Sequence, residues 1–378
     1  MYIPRYAEGV LRNHLKKHNE ILVIYGARQV GKSTMLQHIL MDIDLKMLQI
    51  SGEELQYQSI FSSLDLDQME RVIEGYNLLF IDEAQHIENI GGNIKLLFDA
   101  HPDLKIILSG SSSFELANSI KEPLTGRTRT YFLYPLSFVE LRHLYNDFEL
   151  DGHLREYLIF GGYPKLYSYS ERKEKVLTLS ELSSSYLYRD VLIFANLRNS
   201  KKLYDLLQLL AYQIGQTVSI HELSLKLKLS SETVERYLDL LEKSFVIYRL
   251  RGFSRNPRKE ISKMDKIYFL DNGIRNAVIN NFASIQDRND IGQLWENFLV
   301  MERLKFLRYN QFVRQQHFWR TYTKVELDYI ELYDGQIDGY EFKWSSKKKF
   351  KAPKTWLNYY PDATFQLIDR SNYMNFIM

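Results

Sequence analysis

Ile21-Leu-Val-Ile-Tyr-Gly-Ala-Arg-Gln-Val-Gly-Lys-Ser-Thr34 is the stretch that decides the fold of this chain. Its first five residues form a short apolar run bounded by a glycine, which predicts a buried strand. The run continues into Gly26-x-x-x-x-Gly31-Lys32-Ser33, which matches the phosphate-binding P-loop at every fixed position. The alternative, a glycine turn that only joins a strand to a helix, does not explain why eight residues are in register.

A P-loop binds nucleotide phosphates because its glycines let successive backbone N–H groups point at phosphate oxygens. Lys32 is expected to reach the β- and γ-phosphates, and the Ser33 hydroxyl to hold Mg²⁺. A helix predicted from Lys32 to Met41 would present its positive N-terminus to the anion. The expected nucleotide contacts are Gly26, Ala27, Arg28, Gln29, Val30, Gly31, Lys32, Ser33 and Thr34.

A second apolar run ends in two carboxylates, in Asn77-Leu-Leu-Phe-Ile-Asp-Glu-Ala-Gln85. This arrangement is typical of a Walker B strand, in which Asp82 holds Mg²⁺ through water and Glu83 polarises the water that attacks the γ-phosphate. A buried strand that simply emerges into solvent would look similar. Its place about 50 residues after a P-loop favours the ATP site.

Two further features permit a nucleotide-sensing role without requiring it. The predicted strand Leu104 to Leu108 runs into a serine-rich stretch, so Ser109 or Ser111 is either a γ-phosphate sensor or part of a polar turn. Arg127, ahead of a strand predicted at Tyr131 to Tyr134, is either an arginine finger or a surface residue. A finger that acts in trans would require an oligomer.

Composition excludes several classes of chemistry. The 378 residues contain no cysteine, which excludes disulfides, thiolate zinc sites and a cysteine nucleophile. The net charge of +2 means that any nucleic-acid surface must be a local patch. No apolar run reaches the roughly 18 residues of a membrane span, and the N-terminus lacks a signal-peptide pattern. Together with an ATP site, this composition predicts a cytoplasmic protein without a membrane partner.

Several motifs in order resemble one family. They are the P-loop, Asp82-Glu83, Gly126-Arg127, Gly161-Gly-Tyr-Pro164 and Tyr188-Arg-Asp190. This series resembles the AAA+-type ATPases of bacteria and archaea that carry a C-terminal domain with a restriction-endonuclease-like fold. The resemblance implies an α/β fold with an ASCE-type parallel sheet, with the catalytic glutamate on a strand beside the P-loop strand.

The chain is expected to have four parts: a P-loop ATPase core (1–134), a helical lid or linker (135–200), a winged-helix-like domain (201–283) and a nuclease-like domain (284–378). Gly161-Gly-Tyr-Pro164 is interpreted as a packing element. The winged-helix-like part has a basic wing that suits DNA phosphates, whereas its third helix is acidic, so a protein-interaction module is equally compatible. The wing residues are Arg249, Arg251, Arg255, Arg258, Lys259, Lys263 and Lys266; the acidic ones are Glu232, Glu235, Asp239 and Glu242.

A β-hairpin is predicted around Asp334-Gly335, because Asp-Gly is a favoured centre of a two-residue type I′ turn. In that register Tyr333 pairs with Gln336. Asp328 then lies opposite Glu341, and Glu326 opposite Lys343. Two directly opposed carboxylates repel each other unless a cation lies between them.

These residues resemble the PD-(D/E)xK nuclease pattern, although Leu327 replaces the proline. The resemblance implies that Asp328 and Glu341 bind Mg²⁺, that Glu296 on a predicted helix completes the site, and that Lys343 positions the attacking water. The alternative is an exposed hairpin with cross-strand salt bridges. A basic run that could hold nucleic-acid backbone follows: Lys347, Lys348, Lys349, Lys351 and Lys354.

The leading hypothesis is therefore an ATP-binding and ATP-hydrolysing protein that acts on nucleic acid, with DNA preferred, with ATP and Mg²⁺ as cofactors and with a homo-oligomer possible. The rival is a nucleotide-dependent DNA- or protein-binding switch whose nuclease fold is catalytically silent. A translocase or helicase stays open as a second alternative.

Overall fold

The computed structural model describes residues 2–43, 45–111, 120, 123–194, 200–253, 265–345 and 351–378, without the side chains of 185–194 and 200. The chain forms two compact units, Met1–Leu136 with Lys243–Phe245, and Ser137–Glu242 with Val246–Met378. Some predicted features lie outside this description: the wing residues Arg255, Arg258, Lys259 and Lys263, the basic residues Lys347, Lys348 and Lys349, and the side chains of the Tyr188-Arg-Asp190 motif.

The first unit is an α/β structure around a parallel sheet, as the sequence predicts. Its elements are α1 (Ala7–Lys17), β1 (Ile21–Tyr25), α2 (Lys32–Leu40), β2 (Met47–Ser51), α3 (Leu55–Phe61), α4 (Leu66–Ile73), β3 (Leu78–Asp82), α5 (Ile90–Ala100), β4 (Lys105–Gly110) and β5 (Thr128–Phe132). Strand alternates with helix along the chain, which is the pattern of parallel βαβ units. The strand predicted at Tyr131 begins three residues earlier, at Thr128.

The sheet has the order β2-β3-β4-β1-β5, with all pairs parallel. The expectation that the strand of the catalytic glutamate lies beside the P-loop strand is therefore wrong, because β4 lies between β3 and β1. Burial explains part of this order. Strands β1, β3 and β4 are almost fully buried, whereas β2 and β5 are partly exposed and form the edges. The order of three equally apolar central strands is not visible in their sequences.

The second unit contains helices and a mixed seven-stranded sheet. Its elements are α6 (Asp147–Phe160), α7 (Arg172–Phe194), α8 (Ser200–Tyr212), β6 (Thr217–Val218), α9 (Ile220–Leu227), α10 (Ser231–Lys243), β7 (Ile247–Gly252), β8 (Asp265–Phe269), α11 (Asn272–Val278), α12 (Ile291–Tyr309), β9 (Gln315–Arg320), β10 (Glu326–Tyr333), β11 (Gln336–Phe342), α13 (Lys354–Tyr359), β12 (Thr364–Ile368) and α14 (Tyr373–Ile377). The strand order is β12-β11-β10-β9-β7-β8-β6.

This sheet crosses the boundary expected at residue 283. Strand β7, from the predicted wing, pairs in parallel with β9, from the predicted nuclease-like part, through Arg251 opposite His317 and Gly252 opposite Phe318. The two regions therefore share one hydrogen-bonded sheet.

The hairpin β10–β11 has the predicted register. Tyr333 pairs with Gln336 and Tyr329 with Tyr340. The turn residues Asp334 and Gly335 have φ of 46° and 79°, as a type I′ turn requires. Continuing the register by one residue places Asp328 beside Glu341.

Helix α12 lies in the core of the second unit and aligns the strand β8. The side chain of Asn297 accepts a hydrogen bond from the Phe269 N–H (2.8 Å) and donates one to the Phe269 carbonyl (2.9 Å). Trp295 on the same helix is fully buried. This clamp fixes α12 against β8 and so determines which side chains of the two elements meet.

The Gly161-Gly-Tyr-Pro164 motif makes a close contact with Asp271, which is consistent with a packing role. A Cβ atom on Gly161 would lie 2.1 Å from an Asp271 carboxylate oxygen, and Gly161 has a φ of +75°. The Gly162 N–H donates to Asp271 (2.7 Å), and the other carboxylate oxygen accepts from the N–H of Ile274 in the first turn of α11 (3.1 Å). Asp271 thus joins the end of α6 to the start of α11.

No helix in the described parts of the chain combines the length and apolar character that crossing a membrane requires.

Candidate nucleotide-binding site and C-terminal carboxylate cluster

The loop between β1 and α2 has the geometry of a phosphate-binding loop. A Cβ atom on Gly26 would lie 2.2 Å from the Leu133 carbonyl oxygen, so only glycine fits there. Gly31 has a φ of +94° and caps α2, which begins at Lys32. The buried Lys32 ammonium donates to the carbonyl oxygens of Gly26 (3.0 Å) and Ala27 (3.3 Å). Its charge therefore lies inside the loop that would surround a phosphate.

Arg5, which the sequence analysis did not single out, supports this loop. It is buried, and its guanidinium donates to the carbonyl oxygens of Val30 (2.8 Å) and Tyr134 (2.6 Å). Of the other expected contacts, Ala27 and Val30 are buried, whereas Gln29 and Thr34 are exposed. Arg28 lies 3.9 Å from Glu53.

The Walker B residues lie beside the P-loop, although β4 separates their strand from the P-loop strand. The Ser33 hydroxyl donates to one oxygen of the Asp82 carboxylate (2.5 Å), and the Ser109 hydroxyl donates to the other. Asp82 is the last residue of β3 and therefore lies at the edge where the parallel strands end. Ser33 and Asp82 together form the hydroxyl and carboxylate pair that binds Mg²⁺ in P-loop proteins.

Glu83 is held as a charged carboxylate near the P-loop lysine. Its Oε1 lies 3.6 Å from the Lys32 Nζ, and its Oε2 accepts hydrogen bonds from the Gln85 amide (2.6 Å) and the Ser111 N–H (3.2 Å). Burial by itself raises the pKa of Glu83, but Lys32, Gln85 and Ser111 outweigh burial and hold the pKa below its usual value. Gln85 was missed by sequence reasoning, although it lies two residues after Glu83 in the same motif.

Both serines considered as sensors contact Walker B residues. Ser109 is fully buried; besides bonding to Asp82, its hydroxyl accepts from the Glu83 N–H (3.3 Å). The Ser111 hydroxyl accepts from the Gln85 amide (3.2 Å). These contacts orient Asp82 and Glu83, while a role in sensing the γ-phosphate stays a prediction.

Arg127 lies at the end of the sheet where the parallel strands begin, whereas the P-loop lies at the end where they finish. Its carbonyl accepts from the N–H of Ile21, the first residue of β1, whereas the P-loop follows the last residue of that strand. Its guanidinium pairs with Asp99 (3.0 Å). This position argues against a finger that acts in cis, and action in trans stays a prediction.

The second unit contains a cluster of carboxylates, called the C-terminal cluster below: Glu296, Glu326, Asp328 and Glu341. A buried lysine lies among them. Lys266 on β8 is 1% exposed. Its Nζ lies 2.9 Å from Glu296 Oε1, 2.6 Å from Glu326 Oε1 and 3.6 Å from Asp328 Oδ1. Burial by itself lowers the pKa of Lys266, but these carboxylates outweigh burial and raise it above its usual value. The ammonium is therefore charged.

Further hydrogen bonds and an ion pair reach other carboxylates of the cluster. The Tyr268 hydroxyl donates to Glu296 (2.7 Å), and the Phe342 N–H donates to Asp328 Oδ2 (2.8 Å). Lys343 pairs with Glu341 Oε1 (2.5 Å). Glu341 Oε2 is buried and has no hydrogen-bond partner among the described residues.

The pKa values of two of these glutamates are raised. Burial raises the pKa of Glu296 to about 7 against the opposing effect of Lys266. Burial and the Asp328 carboxylate raise the pKa of Glu341 to about 7 against the opposing effect of Lys343. Glu326, expected opposite Lys343, pairs with Lys266 and also lies 3.4 Å from Arg320. The cluster thus concentrates carboxylates around an internal cation.

Comparison with known proteins identifies the first unit. Residues 18–142 match a family described as an AAA domain. The first unit is similar to this family and has the α/β fold with a parallel sheet of P-loop ATPases. Among solved structures, the Walker-type ATPase of Pyrococcus abyssi is similar with a TM-score of 0.53 and 17% identity, over 72% of this chain and 94% of that one. At this identity the likeness shows the fold alone.

The rest of the chain matches families without an assigned role. Residues 151–285 and 291–371 each match a domain of unknown function (DUF8612 and DUF4143). An uncharacterized protein of Methanocaldococcus jannaschii is 27% identical over 82% of this chain and 72% of its own length. One of Haemophilus influenzae is 27% identical over 75% of this chain and 74% of its own.

Mg²⁺ fits the P-loop ATPase site but not the C-terminal cluster. Ser33 and Asp82 offer hard oxygen ligands at the loop. At the C-terminal cluster the predicted ligands Asp328 and Glu341 already contact Lys266 and Lys343 respectively, and an ammonium among the carboxylates repels a second cation. No group of three or more His, Cys, Asp or Glu side chains in the described parts of the chain is arranged to hold a metal ion.

The predicted basic wing keeps few free charges among its described residues. Arg249 pairs with Glu235 (2.7 Å) and with Asp265 (2.7 Å), and Lys266 is buried in the carboxylate cluster. Arg251 is exposed. Two arginine or lysine side chains attributed to DNA contact therefore neutralise carboxylates of the same unit instead.

Proposed function

We propose that this protein hydrolyses ATP with Mg²⁺ at its P-loop and uses the nucleotide state to control how the second unit binds nucleic acid. The observation that supports hydrolysis is the convergence of Ser33, Asp82 and Glu83 beside the buried Lys32. A loop that only bound a nucleotide would not need a charged glutamate. Glu83 is charged and is held in place by hydrogen bonds from the Gln85 side-chain amide and the Ser111 backbone N–H.

Each residue has one role in this proposal. Ser33 and Asp82 hold Mg²⁺, which neutralises charge on the β- and γ-phosphate oxygens when it is bound. Lys32 exchanges its bonds to the Gly26 and Ala27 carbonyls for bonds to phosphate oxygens. Glu83 orients and polarises the attacking water, and Ser109 holds Asp82 in place.

The test compares ATP turnover of the wild type with Lys32→Ala and Glu83→Gln. Lys95→Ala is the matched control, because Lys95 is exposed on α5 of the same unit. We expect both site variants to lose turnover by a factor of about 10² or more, Glu83→Gln to keep ATP binding, and the control to behave as the wild type. Unchanged turnover in both site variants would refute the assignment.

The proposal of a nucleic-acid partner rests on the second unit. Helices α8, α9 and α10 with the strands β6, β7 and β8 follow the order of a winged helix. Exposed cations that stay available there include Arg236 and Arg251. The ion pairs of Arg249 and Lys266 reduce this surface, so a protein partner is the competing outcome.

The partner is tested with labelled single- and double-stranded DNA and RNA, in ATP and ADP, using the Glu83→Gln variant to hold the ATP state. We expect binding that depends on the nucleotide and weakens steeply with salt. Binding is also expected to weaken in Arg236→Ala/Arg251→Ala, with Arg142→Ala as a control. If no nucleic acid binds in either nucleotide state, the nucleic-acid partner is refuted and a protein partner is favoured. The proposal of ATP hydrolysis is not affected by that result.

Metal-dependent cleavage, the function that the PD-(D/E)xK resemblance implies, is not part of this proposal, because the carboxylates surround a lysine. The same nucleic acids incubated with Mg²⁺ or Mn²⁺ are expected to stay intact. Cutting that disappears in Asp328→Ala or Glu341→Ala would overturn this part and restore the nuclease hypothesis.

A further inference from the structure

We propose that the ammonium of Lys266 is the resident cation of the C-terminal carboxylate cluster and that it takes the place of a divalent metal ion there. The proposal concerns the second unit and goes beyond the proposed function. It does not depend on ATP hydrolysis at the P-loop.

The geometry of the ammonium supports this assignment. An ammonium has three N–H donors, and the Lys266 Nζ faces three carboxylates, those of Glu296, Glu326 and Asp328. The ring of Phe318 lies 5.6 Å from the same nitrogen. All three carboxylates therefore direct oxygens at one fixed positive charge.

Burial keeps the lysine in place. Its side chain is 2% exposed, and the three carboxylates that it contacts are 13% to 27% exposed. Moving the ammonium out would remove the cation that three carboxylates share and leave Glu296 and Asp328 without this counter-charge, which is strongly unfavourable in a buried site.

The two predicted metal ligands already have partners at most of their oxygens. Asp328 Oδ2 accepts from the Phe342 N–H and Glu341 Oε1 pairs with Lys343, which leaves Glu341 Oε2 as the one oxygen of these two residues without a partner among the described residues. Mg²⁺ binds through one or two carboxylates together with several waters, so an ion here would have to displace the present partners of Asp328 and Glu341. Lys266 and Lys343 would also repel the ion.

Side chains of β8 point alternately to the two faces of the sheet, and this alternation places Lys266 beside Glu296. Residues two apart on a strand share a face, so Lys266 and Tyr268 point to the same side. Both donate to Glu296 Oε1, at 2.9 Å and 2.7 Å. Gly215 approaches the same carboxylate, since a Cβ atom there would lie 3.3 Å from it. The strand β8 and the segment at Gly215 thus both pack against the Glu296 carboxylate.

The test is Mn²⁺ binding to the full, nucleotide-free chain, counted by electron paramagnetic resonance. The variants are wild type, Lys266→Met, Lys266→Met/Asp328→Asn, and the control Lys305→Met. Lys305 is also a buried lysine, and it pairs with Glu302 (2.7 Å), which is not part of the C-terminal cluster. Removing it leaves Lys266 in place among Glu296, Glu326 and Asp328.

We expect Lys266→Met to gain one Mn²⁺ site that binds about tenfold or more tighter than any site in the second unit of the wild type. The double variant should lose this gain, and Lys305→Met should not show it. No gain in folded Lys266→Met overturns the proposal. Mn²⁺ binding by the wild type that is lost in Asp328→Asn also overturns it.

The wild-type measurement decides the matter even if Lys266→Met does not fold. Equal Mn²⁺ binding by the wild type, Asp328→Asn and Glu341→Gln then supports a lysine-filled cluster. ATP turnover is measured on the same preparations, so that the lysine proposal and the ATPase proposal are tested independently. Either one can fail while the other holds.

Discussion

Replacing Gly161 with alanine tests the contact that joins α6 to α11 in the second unit. The new Cβ atom would lie 2.1 Å and 2.3 Å from the two Asp271 carboxylate oxygens, closer than a carbon and an oxygen that are not bonded to each other can approach. Gly161 also has a φ of +75° and a ψ of −160°, a backbone conformation that is essentially restricted to glycine. The substitution must therefore displace the carboxylate or the backbone.

The magnitude follows from two costs. Holding alanine in that conformation costs about 1–3 kcal/mol. Displacing Asp271 loses its hydrogen bond from the Gly162 N–H (2.7 Å), and a bond to a charged group contributes about 1.5–3 kcal/mol. Gly161→Ala should therefore lower the free energy of unfolding of the second unit by roughly 2.5–6 kcal/mol.

The assay is urea unfolding followed by tryptophan fluorescence. All four tryptophans, Trp295, Trp319, Trp344 and Trp356, lie in the second unit, so the signal reports on that unit. Gly152→Ala in α6 is the matched control, because nothing lies within 4 Å of its Cβ position and alanine favours a helix by about 0.5–1 kcal/mol.

A double variant isolates the steric cause. Asp271→Ala removes the oxygens that the new Cβ atom would meet, so Gly161→Ala should cost less in that background than in the wild type. The reasoning is refuted if Gly161→Ala lies within about 1 kcal/mol of the wild type, or if its cost is the same with and without Asp271.

Three further predictions follow from the two sites. Because the folded second unit binds protons on Glu296 and Glu341 with pKa values of about 7, above the usual 4.5, its stability should fall as the pH rises from about 4.5 to 7, by up to about 1.4 kcal/mol per pH unit for each group. Glu341→Gln should flatten this dependence and the exposed Glu222→Gln should not; a pH-independent wild type would contradict the assignment. Gln85→Ala should lower kcat about tenfold with little change in KM, because Gln85 orients Glu83 rather than ATP; a wild-type kcat would show that Gln85 is dispensable. Arg127→Ala should lose ATP turnover and regain part of it when mixed with Lys32→Ala subunits, which supply Arg127 in trans; no recovery on mixing would exclude a finger between subunits.

Features that depend on neighbouring residues along the chain were visible in the sequence. The P-loop and the Asp82-Glu83 pair are short motifs in which the spacing itself creates the chemistry. The hairpin register was also predicted, because the Asp334-Gly335 turn fixes which residues of β10 and β11 pair. In each case the atoms that interact are separated by few residues or by one turn.

Features that depend on distant residues required the tertiary structure. The position of β4 between β1 and β3 depends on how three equally buried strands pack. The location of Arg127 depends on the end of the sheet at which β5 begins. Sequence reasoning placed Lys266 among charges of a basic wing because its neighbours along the chain are basic.

The carboxylates that Lys266 contacts are 30, 60 and 62 residues away along the chain, on α12 and β10. The local sequence determined that a lysine lies on a strand, directly before the apolar and aromatic residues Ile267, Tyr268 and Phe269. Only the folded structure determined its partner, because burial of a charge is favourable only where opposite charges are brought to it from other segments.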